Sequence, residues 1–125
     1  METHPSPLVL VVEDESLIRE LAVSAIADAG FEVVEAGSAA EALEVLRARP
    51  DVAIVFTDVN MPGELDGLAL AEMVHRHWPA IQLVVTSGRP LAGPIPDDGK
   101  FVQKPYSLEN MTEAVATAAQ RLDIV

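Results

Sequence analysis

Two five-residue runs, Leu8 to Val12 and Val52 to Phe56, are wholly apolar, with no polar residue at alternate positions. A strand with one wet face alternates, so unbroken runs of this kind are what strands buried on both faces of a parallel sheet require. Three weaker β segments, Phe31 to Glu35, Ile81 to Thr86 and Phe101 to Gln103, bring the strand starts to positions 8, 31, 52, 81 and 101. The intervals, 20 to 29 residues, each leave room for one crossover helix. That is the spacing of β/α units.

The connections carry helical periodicity. Leu17, Ile18, Leu21, Ala22, Ala25, Ile26 and Ala29 recur at three-to-four spacing and predict an inward stripe, with Gly30 placed to supply a left-handed stop. Ser38 followed by Glu41 is a capping box that opens a helix with Ala39, Ala42, Leu43 and Leu46 inward, closed by Pro50. A third helix is predicted from about Gly67 to His77, ending at Trp78-Pro79, with Met73 in the core and Trp78 covering the helix end. A last one starts at Ser107 and aligns Leu108, Met111, Val115, Ala118 and Leu122. The fourth connection differs: Pro90, Pro94 and Pro96 lie there with Gly93 and Gly99. An interior proline costs about 3 kcal/mol through a lost donor and a ring clash. The fold class is therefore α/β, a doubly wound five-stranded parallel sheet with helices on both faces and the fourth crossover helix short or replaced by a Pro-rich loop. Such sheets bind ligands at the carboxyl ends of their strands.

The 125 residues fit one domain, expected over 8–125 behind a flexible arm at 1–7. Eight basic against twenty acidic side chains give a net charge of −12, which repels phosphate backbones and anionic lipid. Direct nucleic-acid or membrane binding is not expected. A protein or a cation is the expected partner. The chain has no cysteine, its apolar runs are too short for a membrane span, and Met1 to Pro7 does not resemble a signal peptide, so a cytoplasmic location is expected.

Chemistry concentrates at the predicted strand ends. Glu13 and Asp14 follow the first strand and Asp58 the third, so three carboxylates converge on one edge. Two unit charges ~4 Å apart repel by ~4 kcal/mol at an effective dielectric of 20, so the cluster calls for a cation. All-oxygen ligation in an open site suits Mg²⁺. The fourth strand ends in Thr86-Ser87-Gly88 and the fifth in Lys104-Pro105, one of only two lysines in the chain. Acids, a hydroxyl and an ammonium form an inventory for phosphoryl transfer.

These residues carry a family likeness. With Val-Val-Glu13-Asp14-Glu, Thr57-Asp58-Val-Asn60-Met61-Pro62-Gly63, Thr86-Ser87-Gly88 and Lys104-Pro105-Tyr106, the chain resembles a response-regulator receiver domain of two-component signalling, in a single-domain form, from Leu8 to Leu122. The resemblance implies a flavodoxin-like sheet of strand order 2-1-3-4-5. It implies that Asp58 takes a phosphoryl group from a histidine kinase or histidine phosphotransfer protein, and that Asp14, Asp58 and the Asn60 backbone carbonyl ligate Mg²⁺, with Glu13 acting directly or through water. It further implies that Lys104 contacts the phosphoryl group, that the Thr86 hydroxyl swings toward it and that Phe101 changes rotamer in response, altering contacts with a downstream protein target. Two departures stand out. The Gly63-Glu64-Leu65 linker is one residue longer than usual, and Thr86 and Lys104 are eighteen positions apart, several fewer than in the common pattern. Dimerisation through a face that includes the fourth crossover helix is therefore not expected.

Plainer roles exist for each residue alone. Glu13 and Asp14 could complement the dipole of the helix starting near Ser16, and Asp58 could form a turn. Their joint placement favours a site. His75 and His77 are two apart on a helix and share no face, so they read as surface residues rather than a metal pair. Two other functions compete with the switch. A small aspartate-nucleophile phosphatase would need a second acid where Asn60 stands, and a pseudo-receiver that binds partners without phosphorylation would not need the full acid, hydroxyl and lysine set. No enzyme activity beyond the domain's own phosphorylation and dephosphorylation is expected.

Overall fold

The computed structural model describes residues 7–59, 67–87, 100–103 and 107–122, at 67, 68, 100, 101, 103 and 108 by backbone alone. Strand β1 (Leu8–Val12) is buried along its whole length, as its unbroken apolar run requires. It is followed by α1 (Ser16–Asp28), β2 (Glu32–Ala36), α2 (Ala39–Ala48), β3 (Val52–Asp58), α3 (Gly67–His77), β4 (Gln82–Ser87), β5 (Lys100–Gln103) and α4 (Leu108–Leu122). All four strand pairs are parallel, as the doubly wound reading of the sequence predicts, and the order is β2-β1-β3-β4-β5, as the family resemblance implies. The two continuous apolar runs are β1 and β3, two of the three strands that have strands on both sides.

Helices cover both faces. On one, Ala22 and Ile26 of α1 and Met111, Val115 and Ala118 of α4 pack with Val9, Val11, Ile54, Phe56 and Val84. On the other, Ala39, Ala42, Leu43 and Leu46 of α2 and Leu70, Ala71 and Val74 of α3 pack with Leu10, Val12, Val55, Leu83 and Val85. Strand alternation delivers these two sets from the same strands. Leu10, Ile26, Leu46, Ile54, Leu70 and Met111 are among the largest fully buried side chains, each stabilising the fold by roughly 1.5–3 kcal/mol. Met73 and Trp78 are half-buried against the α2–α3 core, and His75 and His77 are exposed.

Local signals act as read. The Ser38 hydroxyl accepts from the Glu41 N–H at 3.1 Å and opens α2, the Ser107 hydroxyl accepts from the Asn110 N–H at 3.0 Å and opens α4, and Gly30 stands at φ +102° just past α1. Two readings need correction. The buried stripe of α1 is narrower than its apolar pattern: Leu17 and Leu21 are 67% and 50% exposed, because they lie roughly 100° to 140° around the axis from Ala22, which faces the sheet. Strand β3 also runs two residues beyond its apolar run, to Asp58, because Thr57 pairs with Val85 and Asp58 with Thr86 of β4. The Pro-rich fourth connection and the amino-terminal arm to residue 6 lie outside the described residues. Among the described residues, no helix is long and apolar enough to cross a membrane.

Strand order fixes where a ligand can bind. From β1 the chain moves outward to β2 and then back across to β3, so α1 and α2 leave on opposite faces. A crevice is left at the carboxyl ends of β1 and β3.

Candidate functional site

Glu13 is the first residue past β1, and its N–H donates to the Ala36 carbonyl at 3.1 Å, extending the contact with β2 by one bond. Its side chain is buried, and Oε2 accepts from the Glu15 N–H at 3.1 Å. Glu15 is the amino-terminal cap of α1 and makes no side-chain cap bond, so the Glu13 carboxylate serves that helix end in part. This much of the plainer reading is present. Asp14, next in line, is exposed. Asp58 closes β3 and is buried, and the following residue, Val59, donates its N–H to the Thr86 carbonyl at 2.8 Å. The Thr57 hydroxyl donates to the Asp58 carbonyl at 3.2 Å.

The crevice therefore gathers three acids from two strand ends. One carboxylate oxygen from each of Glu13, Asp14 and Asp58 lies within 4.8 Å of the others. Octahedral oxygens at about 2.1 Å from a small divalent cation stand up to ~4.2 Å apart, so this spread fits one ion held directly or through a water. The donor set is all oxygen, which suits a hard cation. Two of the acids are buried, where mutual repulsion is least screened, while exposed Asp14 leaves a side open to solvent.

Thr86 stands beside Asp58 on β4. It is 1% exposed, and its Oγ1 is the buried side-chain atom among the described residues that has no hydrogen-bond partner. Ser87, next along, is also buried. Of the remaining residues singled out from the sequence, Phe101 lies within β5 by its backbone, one position before Val102, which pairs with Thr86. Asn60 and Lys104 lie outside the described residues.

One residue at this edge escaped sequence reasoning. Arg19, one turn into α1, donates from Nη1 to the Glu13 carbonyl at 2.8 Å and from Nε to the Glu35 carboxylate at 3.0 Å. The pair joins α1 to β2 across the turn that carries Glu13 and Asp14. An arginine in a first helical turn gives no local sign of such a role; only the outward-facing acid near the end of the neighbouring strand does.

Two clefts lie at the other end of the sheet. One, of about 340 Å³, is lined by Leu43, Arg47, Met73, His77 and Trp78, and one of about 440 Å³ includes Pro50, Val52, Trp78, Pro79 and Ile81. Neither adjoins the carboxylates.

Comparison with known proteins adds an independent line. Residues 9–116 match the family model of the response regulator receiver domain. The chain is similar to the sensor kinase CckA of Brucella abortus (strain 2308), 36% identical over 124 residues that cover 94% of this chain and 13% of that protein. It is also similar to the transcriptional regulatory protein PdtaR of Mycobacterium tuberculosis (strain ATCC 25618 / H37Rv), 34% identical over 119 residues that cover 90% of this chain and 57% of that one. The chain thus spans between about an eighth and a little over half the length of these curated relatives. Among solved structures, a response regulator receiver protein from Sinorhizobium medicae WSM419 superposes with a TM-score of 0.83 at 25% identity, covering 92% of this chain and 95% of that one. The receiver domain of the hybrid histidine kinase CckA gives 0.79 at 27% identity, covering 90% and 99%.

Proposed function

This chain belongs to the response regulator receiver domain family, and we propose that it is a Mg²⁺-dependent phospho-acceptor switch whose acceptor is Asp58. Receiver domains are regulatory signalling modules of two-component systems, and they bind Mg²⁺ at an acidic pocket. The observation that carries the reading is the convergence of Glu13, Asp14 and Asp58 within 4.8 Å at the crevice. A lone acid at a strand end has many uses. Three that share one ion-sized space, on adjacent central strands, have few.

In this reading an Asp58 carboxylate oxygen attacks the phosphorus of a phosphohistidine. The O–P bond forms as the P–N bond breaks, and the electron pair of that bond returns to the imidazole nitrogen, which takes a proton. Asp14, Asp58 and the Asn60 carbonyl are assigned to Mg²⁺, with Glu13 direct or through water. When bound, the ion neutralises charge on the phosphoryl oxygens. Lys104 is assigned to a phosphoryl oxygen. The Thr86 hydroxyl, lacking an acceptor, is assigned the new one that phosphorylation brings, with Phe101 as the reporter on β5. The donor is taken to be a histidine kinase or a histidine phosphotransfer protein, acting in the cytoplasm, and the output a changed contact with a downstream protein. Exposed Leu17 and Leu21, on the helix that starts beside Asp14, support a protein rather than a small molecule as the natural donor.

The test is incubation with Mg²⁺ and a small acyl phosphate, read by intact mass. One added phosphoryl group is expected in the wild type, none in Asp58→Ala and none when the metal is chelated. An unchanged yield in Asp58→Ala would remove the acceptor assignment, and an unchanged yield under chelation would remove the metal. Multiple turnover of a phosphomonoester would instead point to a phosphatase.

A further inference from the structure

The turn from β1 into α1 carries acids at 13, 14 and 15 in succession. Two of them face a third, Asp58, across the crevice, so repulsion acts to push the turn outward from β3. Among the bonds that hold it are the Glu13 N–H to the Ala36 carbonyl, the Glu15 N–H to Glu13 Oε2, and the Arg19 guanidinium to the Glu13 carbonyl. The last is charge-assisted and, at 2.8 Å, the shortest of the three. Its donor is anchored rather than free, since Nε is held by Glu35 and the Arg19 side chain is only 21% exposed. Room for the guanidinium is left by Gly37, where a Cβ would stand 3.2 Å from Nη1.

We propose that Arg19 is a positioning residue for the cation site, its guanidinium tying the Glu13 carbonyl to Glu35 of β2 so that the Glu13 and Asp14 carboxylates stay convergent with Asp58. The inference rests on the cation site proposed above. A planar fork holds its donors spread in fixed directions and so spans the two acceptors with less ordering than the compact ammonium of a lysine requires. Arg19 touches neither the ion nor the phosphoryl group; it acts through the main chain of a residue that does.

The sign of one measurement separates this from a merely electrostatic role. A guanidinium near a cation site repels the cation, so if charge were all that mattered, its removal would tighten Mg²⁺ binding. Loss of positioning loosens it. Magnesium chloride titrated calorimetrically into the metal-free full chain should bind Arg19→Met on the order of tenfold more weakly than wild type, with Arg19→Lys in between. Gly37→Ala changes no charge and crowds Nη1, and it should also weaken binding, by a smaller factor. It serves as the second variant if Arg19→Met does not fold. Thermal unfolding in chelator confirms that the compared chains are folded. Unchanged or tighter binding in both Arg19→Met and Gly37→Ala, with the wild type binding normally, overturns this inference and leaves the cation site intact. A wild type that takes up no Mg²⁺ at millimolar concentration overturns the site and this inference together.

Discussion

Asp58 and Thr86 are directly paired across the parallel β3–β4 ladder, the one 4% and the other 1% exposed. In parallel strands paired residues point to the same face, so the buried Asp58 carboxylate stands beside the Thr86 hydroxyl, which is buried and has no hydrogen-bond partner. An unsatisfied buried polar group costs about 1–3 kcal/mol. The resting protein carries that cost beside the proposed acceptor, where added phosphoryl oxygens would relieve it.

Thr86→Val keeps the shape and removes the hydroxyl. The unphosphorylated, metal-free protein is therefore expected to gain about 1 kcal/mol in a urea unfolding experiment, while the spectral change on acyl-phosphate treatment shrinks. A variant less stable than wild type would mean the hydroxyl is satisfied in solution.

Asp58→Asn relieves crowding among the three acids. Without metal and at low salt it should raise stability by ~1–2 kcal/mol, a figure discounted from the Coulomb estimate for water access at Asp14. Salt should shrink the gain, and saturating Mg²⁺ should reverse the ranking, because wild type then gains binding energy that the variant lacks. A lower midpoint for the variant in chelator would contradict the crowding.

Leu17→Ser with Leu21→Ser alters two exposed positions, so the unfolding midpoint should hold within about 0.5 kcal/mol. Phosphorylation by acyl phosphate should be unchanged, and transfer from a protein phosphohistidine donor should slow. Transfer from the protein donor at the wild-type rate would remove α1 from the docking surface.

Ser38→Ala deletes the hydroxyl that accepts from the Glu41 N–H at 3.1 Å. A loss of about 1 kcal/mol in chemical denaturation is expected, with no change in Mg²⁺ affinity. Weakened metal binding would show that the start of α2 also shapes the turn after β1.

Much of this molecule is written locally. The apolar runs at Leu8–Val12 and Val52–Phe56 name two of the three inner strands because burial on both faces leaves no room for a polar residue. Ala39, Ala42, Leu43 and Leu46 are all buried, as the helical period requires. Glu13, Asp14 and Asp58 could be brought together on paper because parallel topology puts every strand's carboxyl end on the same edge. What was not legible depends on partners distant in the chain. Strand β3 reaches Asp58 through pairing with β4, which no run of apolar residues announces. Leu17 and Leu21 satisfy the helical pattern but miss the sheet, since the pattern reports spacing and not which arc the neighbours leave uncovered. Arg19 acquires its task only when β2 delivers Glu35 to it, sixteen residues away.

The pairing of Asp58 with Thr86 continues to Val102, so one transverse row crosses three strands. Val102 packs with Met111, Ala114 and Val115 of α4, and none of the three row members belongs to the core shared by α2 and α3. The pleat therefore gives the sheet a listening side and a deaf side. In the proposed switch, a shift of the Thr86 side chain would press on packing that leads to the last helix, while the α2–α3 half lies across the sheet from it.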